Sequence, residues 1–187
     1  MSARGPIALG ILAGGRGRRL GGADKALLQI HGVALLSRTL AVMAGHYAQT
    51  LLSYNGDPAG IDHCGARVVA DLRAGFPGPL AGLEALLQAT DSRWLLTVPV
   101  DLRDTPAGLA EALCSRAAGN AGLVVRDADG LQPLVALWPV AATRAALRQA
   151  LDSGQNAAHL LVARLQMQIH DISPWRLGNL NTPSDFE

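Results

Sequence analysis

The segment Ile7–Leu12 reads Ile-Ala-Leu-Gly-Ile-Leu, a continuous apolar run that breaks off into glycines and arginines. A short apolar run without polar alternation, closed by turn residues, is the signature of a strand buried on both faces. Such a strand needs a helical layer above and below it, so this one segment restricts the chain to layered α/β architectures. The remaining pattern agrees. Leu35, Leu36, Leu40 and Met43 share one face of a helix over Ala34–Ala44. Thr50–Ser53 and Ala66–Ala70 read as short strands, and Pro79 opens a helix with Leu80, Leu83, Leu86 and Leu87 on one side. Trp94–Val98 is the next buried strand, stopped by Pro99. Ala107–Arg116 reads as a helix, and Gly122–Arg126 and Leu134–Trp138 as strands joined by the turn Asp127–Gly130 into a hairpin. Pro139–Leu151 and Asn156–Leu165 look helical, and Gln166–Ile172 supplies a last strand. This order predicts an α/β fold: three-layer and Rossmann-like, with a mostly parallel sheet and helices on both faces. No repeat, linker or low-complexity tract interrupts it, so residues 1–187 are expected to form a single domain.

Composition excludes several functions. With 49% hydrophobic and 17% charged residues the chain is not of disordered type, and at 4% aromatics its core must rest on Leu, Ala and Val. The formal net charge of +1, with no run of Lys or Arg, argues against a nucleic-acid surface. No apolar run is long enough to span a membrane, and the apolar stretch Pro6–Ala13 is too short and wrongly flanked for a secretory signal. Cys64 and Cys114 lack metal or redox spacing and read as two buried thiols in a reducing compartment, so a soluble, cytoplasmic protein is expected. The five histidines show no zinc spacing either.

In open α/β sheets ligands sit beyond the carboxyl ends of the strands. That rule selects the loop after Leu12, the residues after Leu52, Asp71 and Asp101. The first is the richest: Leu12-Ala13-Gly14-Gly15-Arg16-Gly17-Arg18-Arg19-Leu20-Gly21-Gly22-Ala23-Asp24-Lys25. Adjacent glycines let backbone N–H groups turn inward as a nest for phosphate oxygens, and three arginines with Lys25 match the charge of a triphosphate. A Walker A loop needs Lys-Ser or Lys-Thr after its last glycine, which Gly22 lacks; a dinucleotide fingerprint needs a third glycine where Leu20 stands.

This tract, L-A-G-G-x-G-x-R-x-G-G-x-D-K, resembles the signature of the molybdenum cofactor guanylyltransferases, within the wider fold of nucleotide-diphospho-sugar-type transferases. Gly21-Gly22-Ala23-Asp24-Lys25 is the part closest to the molybdenum branch. Further matches come in order: Asp71 before Pro77-Gly78-Pro79-Leu80-Ala81-Gly82, then Pro99-Val100-Asp101, Gln132-Pro133-Leu134, and Asn179-Leu180-Asn181-Thr182-Pro183. The resemblance covers essentially the whole chain. It implies transfer of GMP from GTP to molybdopterin-bound molybdenum, giving the guanine dinucleotide cofactor and pyrophosphate. It also implies Mg²⁺ and contact with molybdoenzyme maturation proteins.

Residue by residue, the resemblance implies that Leu12, Ala13, Gly14 and Gly15 cradle the nucleotide, and that Lys25 contacts it. Asp71 matches a guanine-side carboxylate, which can accept from N1–H and the exocyclic amine together. Spacing alone leaves Asp101 two readings, a Mg²⁺ ligand or, with Asp104, a cap for a helix near Thr105-Pro106; the resemblance selects the metal. Lys25, Arg19 and Asp101 would then carry the chemistry. Asn179 and Asn181 match an acceptor-side pair, although Asn181 also reads as a cap for Thr182-Pro183. Two departures stand out. Ser53-Tyr54-Asn55 replaces Asn-x-Asn, leaving Ser53 and Asn55 to meet the nucleotide, and Gln155-Asn156-Ala157 stands where basic residues are usual. Arg144, Arg148 or Arg164 are candidates to replace the lost charge. These departures keep open a CTP-using relative, another acceptor, or a catalytically idle nucleotide-binding partner.

Overall fold

The computed structural model describes residues 6–13, 24–61, 64–73 and 78–186, apart from the side chain of Pro183. Strand β1 (Ile7–Leu12) lies inside a seven-stranded sheet, and each of its residues from Ala8 to Leu12 is buried. It is flanked in parallel by β4 (Gln49–Ser53) and β6 (Trp94–Pro99). β5 (Arg67–Val69) extends the sheet beyond β4. On the other side β8 (Gly130–Pro139) runs antiparallel between β6 and β7 (Leu123–Asp127), and β9 (Gln168–Asp171) closes the edge parallel to β7.

Successive residues of β1 feed two separate cores, as the period of a strand requires. Leu9 and Ile11 pack with Leu35 and Leu36 of α1 (Leu35–Val42) and with Leu109 and Leu113 of α3 (Leu109–Ser115). Ala8 and Leu12 pack with Leu83 and Leu86 of α2 (Pro79–Ala89), Leu147 of α4 (Val140–Asp152) and Leu161 of α5 (Ala158–Arg164). The result is the three-layer α/β arrangement expected from the sequence. Gly10 permits the close approach of α2: a Cβ there would lie 2.9 Å from Leu86 Cδ1 and 3.0 Å from Leu95 Cδ1.

Three details differ from the sequence reading. A small hairpin, β2 (Gln29–Ile30) with β3 (Val33–Ala34), precedes α1; it turns on His31 and Gly32 with φ of 51° and 77°. Positive φ at both central residues is what a tight two-residue hairpin requires, and glycine satisfies it at the second. Secondly, β8 begins at Gly130 and not at Leu134. Val125 pairs with Gln132 and Val124 with Ala136, so Pro133 sits in an irregularity of the ladder, where a missing N–H costs no hydrogen bond. Thirdly, Cys64 and Cys114 are only half-buried, and they form no disulfide.

The chain after β9 returns across the carboxyl end of the sheet. Ile172 N–H donates to Arg126 O and Ala128 N–H to Trp175 O. Asp104 N–H donates to Leu177 O, Leu102 bridges Asn179, and Leu180 N–H donates to Asp101 O at 2.8 Å. The tail thus lies antiparallel beside the residues that come after β6. Its anchor is Asp127, 2% exposed, whose Oδ2 accepts from Leu177 N–H at 2.9 Å. Oδ1 of the same carboxylate accepts from the N–H groups of Asp129 and Gly130 and from Gln132 Nε2. Removing it leaves buried donors unmet. Asp127→Ala is therefore expected to lower unfolding stability by about 3 kcal/mol, read from the urea midpoint at unchanged slope.

Candidate active site

The carboxyl ends of β1, β4 and β6 meet at one place. Leu12 O accepts from Val100 N–H at 3.0 Å, and Ala13 N–H donates to Ser53 O at 3.0 Å. Leu12 and Ala13 are buried, at 7% and 6% exposure, so the strand delivers its loop from between its two neighbours. Gly14, Gly15 and Arg19 lie outside the described residues. The first turn of α2 closes over the same point: a Cβ on Gly82 would stand 2.6 Å from Ser53 Oγ and 3.0 Å from Leu12 Cδ2. Only glycine lets the helix come this near. Its N-terminus, with Gly78 at the cap and Pro79 first in the helix, brings partial positive charge to this end of the sheet.

Lys25 joins three distant segments. Its Nζ donates to Asp101 Oδ2 at 2.6 Å and to Asn181 Oδ1 at 3.0 Å. The Lys25 and Asp101 side chains keep 20% and 18% of their exposure, so the pair is reachable from solvent. The backbone on either side is fixed by Asp24. Its carbonyl accepts from Leu27 and Leu28 N–H, its Oδ1 accepts from Ala26 N–H at 3.0 Å, and Tyr54 Oη donates to its Oδ2. Burial of the phenol, and then the Asp24 carboxylate, push the Tyr54 pKa up to about 12, so it remains a donor at neutral pH. Sequence reading missed this contact, because nothing local links residues thirty positions apart.

Ser53, Asn55 and Asp71 form a second row at the ends of β4 and β5. Tyr54 N–H donates to Val69 O, and Asp71 N–H donates to Asn55 Oδ1 at 2.9 Å. Ser53 Oγ and Asp71 Oδ1 are both buried, and neither has a hydrogen-bond partner among the described residues. Buried polar atoms are nearly always paired, so two orphans at the ends of adjacent strands leave hydrogen-bonding capacity that a polar ligand could use. Among the described residues the Asp71 side chain makes no bond to its own turn. Its neighbour Arg73 reaches Glu84 at 2.9 Å and Asp152 at 3.0 Å.

The competing helix-cap readings of the sequence do not hold. α3 begins at Leu109 after Gly108, whose φ is 81°, with no side-chain cap; neither Asp101 nor Asp104 serves it. The Asn181 side chain goes to Lys25, while Asp185 does the capping: its Oδ2 accepts from Asn181 and Thr182 N–H, each at 2.8 Å. Asn179 lies beside Leu102 in the tail. Of the arginines considered for the acceptor, Arg144 is committed to the carbonyls of Leu87 and Thr90, and Arg164 to Gln149.

As a divalent-metal site the residues suit Mg²⁺ better than a protein-caged ion. Among the described residues no cluster of three or more His, Cys, Asp or Glu side chains could hold a metal. Mg²⁺ needs only one or two carboxylates when substrate phosphates and water fill the other positions, and among the described residues no group donates to Asp101 Oδ1.

The Asp185 clamp carries a pH signature. Hydrogen bonds from Thr182 and then Asn181 hold its pKa at about 2, below the ordinary carboxylate range. A depressed folded-state pKa means stabilisation that is present above the unfolded value, roughly 4, and lost as pH falls through the folded one. Amide exchange at Asn181 and Thr182, corrected for intrinsic rates, should therefore accelerate between about pH 4 and pH 2. Asp185→Ala should show the faster exchange already at neutral pH.

Known proteins of one family resemble this chain in sequence and fold. The MobA-like NTP transferase domain matches residues 9–168. A molybdenum cofactor guanylyltransferase of Acidiphilium cryptum (strain JF-5) is 38% identical over 95% of this chain and 90% of its own length. The crystal structure of molybdopterin-guanine dinucleotide biosynthesis protein A from Archaeoglobus fulgidus superposes with a TM-score of 0.74 at 23% identity, over 96% of this chain and 94% of that one. A Mycobacterium tuberculosis H37Rv protein solved in complex with manganese superposes at 0.66 with 18% identity, over 97% and 95% of the two chains. None of the described helices is long and apolar enough to cross a membrane. Motif, sheet order and relatives converge: this chain belongs to the MobA-like NTP transferase family.

Proposed function

We propose that this chain transfers the GMP group of GTP to the phosphate of molybdopterin-bound molybdenum cofactor, releasing pyrophosphate, in the cytoplasm. The reading rests above all on Lys25, held between Asp101 at 2.6 Å and Asn181 at 3.0 Å. One ammonium thereby touches both the strand end suited to the metal and the tail segment suited to the acceptor. The relative from Acidiphilium cryptum, named for the same activity, supports it.

In this reading the first loop and the α2 N-terminus face the triphosphate, whose negative charge both complement. Asp71, with its buried and unpartnered Oδ1, accepts from the guanine edge, and Ser53 Oγ supplies a second polar contact. Asp101 would hold Mg²⁺, which when bound neutralises phosphate charge as the bond to the leaving group breaks. Lys25 exchanges its contact with Asp101 for the phosphates. Asn179 and Asn181 orient the acceptor, whose phosphate oxygen attacks the α-phosphorus as the bond to the β-phosphate oxygen breaks. The electron pair leaves with pyrophosphate. A phosphate is already ionised near neutral pH, so positioning and electrostatics carry the rate and no general base is required.

Equilibrium binding of GTP, CTP, UTP and ATP, with and without Mg²⁺, tests the nucleotide half. GTP should bind best with Mg²⁺, and Asp71→Ala should reduce its advantage over CTP by about tenfold or more. A native preference for CTP would move the enzyme to a cytidylyl reading. Asp101→Ala should lower turnover by at least about 100-fold while metal-free GTP affinity stays within about threefold. Unchanged turnover would remove Asp101 from the metal site.

A further inference from the structure

A cleft of about 110 Å³ opens between α1 and the segment that continues β6 past the sheet. Leu35, Val42, Val98 and Leu102 give it apolar walls, and Thr39 ties its two sides together by donating to Val100 O at 3.2 Å. None of Lys25, Ser53, Asp71, Asp101, Asn179 or Asn181 lines it. None of the residues given roles in nucleotide transfer would therefore touch a ligand bound in it.

The guanidinium of Arg38 lines this cleft, and its Nη1 is shut off from solvent with no hydrogen-bond partner among the described residues. No described carboxylate forms an ion pair with it. The other charged residues in the lining are Arg103, already engaged by Asp185, and Asp104, which is solvent-exposed and forms no ion pair with Arg38 among the described residues. A buried polar atom is rarely left unpaired, and a cationic one least of all, because its strongest partner is an anionic oxygen. The space beside it exceeds what one water fills. We propose that the cleft is a subsite for a small oxyanion, a carboxylate or phosphate group, received by Arg38. Its walls include Val100 and Leu102, the two neighbours of Asp101, so the occupant would bear on the backbone that carries that carboxylate.

Titration of the folded protein with inorganic phosphate, and separately with acetate, tests this at constant ionic strength. A saturating non-hydrolysable GTP analogue is kept present so that the glycine-rich loop is occupied. The expected result is a saturable chemical-shift change at Arg38 Nε and at the amides of Leu102, Asp104 and Thr105 with at least one of the two anions. The anion that binds tells phosphate from carboxylate. Arg38→Gln should weaken that binding at least tenfold while leaving thermal stability and GTP affinity near the parent values. Arg38→Lys, which keeps the charge but loses the planar fork, gives a second variant should the first fold poorly, and should bind with intermediate strength. Shifts that both variants leave unchanged, or that appear only without the GTP analogue, would assign the anion to the nucleotide loop and overturn the proposal. No saturable shift with either anion would also overturn it, leaving a cleft filled by water.

Discussion

A strand buried on both faces can present polar groups only at its ends, and β1 shows the consequence. Its backbone is paired by β4 on one side and β6 on the other, and its side chains vanish into two apolar cores. The strand ends before Ala13, between Ser53 and Val100, whose backbones hold Ala13 and Leu12. The candidate site stands there because polar groups become available only where the buried strand ends. The glycines nearby have a related purpose: Gly10 and Gly82 let α2 settle close enough for its N-terminus to share the same opening.

The second half of the site is assembled by the tail. Asp127, a carboxylate that holds its own turn and the Leu177 amide together, helps to hold residues 175–181 against the end of β6. From there the pairing with residues 101–104 fixes where Asn179 and Asn181 fall. Asp185 then secures the far end through backbone N–H groups. The tail side of the site is thus held by two carboxylates, Asp127 and Asp185, that accept from backbone N–H groups.

Much of this was legible in the sequence, and the parts that were not share a cause. Ile7–Leu12, Trp94–Val98 and the helix opened by Pro79 announced themselves because burial on both faces, or a proline at a helix start, leaves a local mark. So did Lys25 and Asp101, through a motif and a position at a strand end. Pro133 misled the reading of β8, since a proline ordinarily ends a strand and here occupies an irregularity that only the pairing with β7 reveals. The His31-Gly32 turn was short enough to pass as loop. The Tyr54 contact with Asp24 and the capture of Arg144 by α2 carbonyls leave no local trace. They join residues that are distant in sequence, and each involves a residue type common on any surface.

The span of the Lys25 to Asn181 contact has a temporal meaning. The two residues stand 156 positions apart, nearly the length of the chain. A polypeptide emerging from the ribosome can form β1, α1 and the parallel half of the sheet while its last segment is still being made. Lys25 then has Asp101 beside it but not Asn181. The contact between Lys25 and Asn181 is therefore made late, after the pairing of Lys25 with Asp101 is already possible.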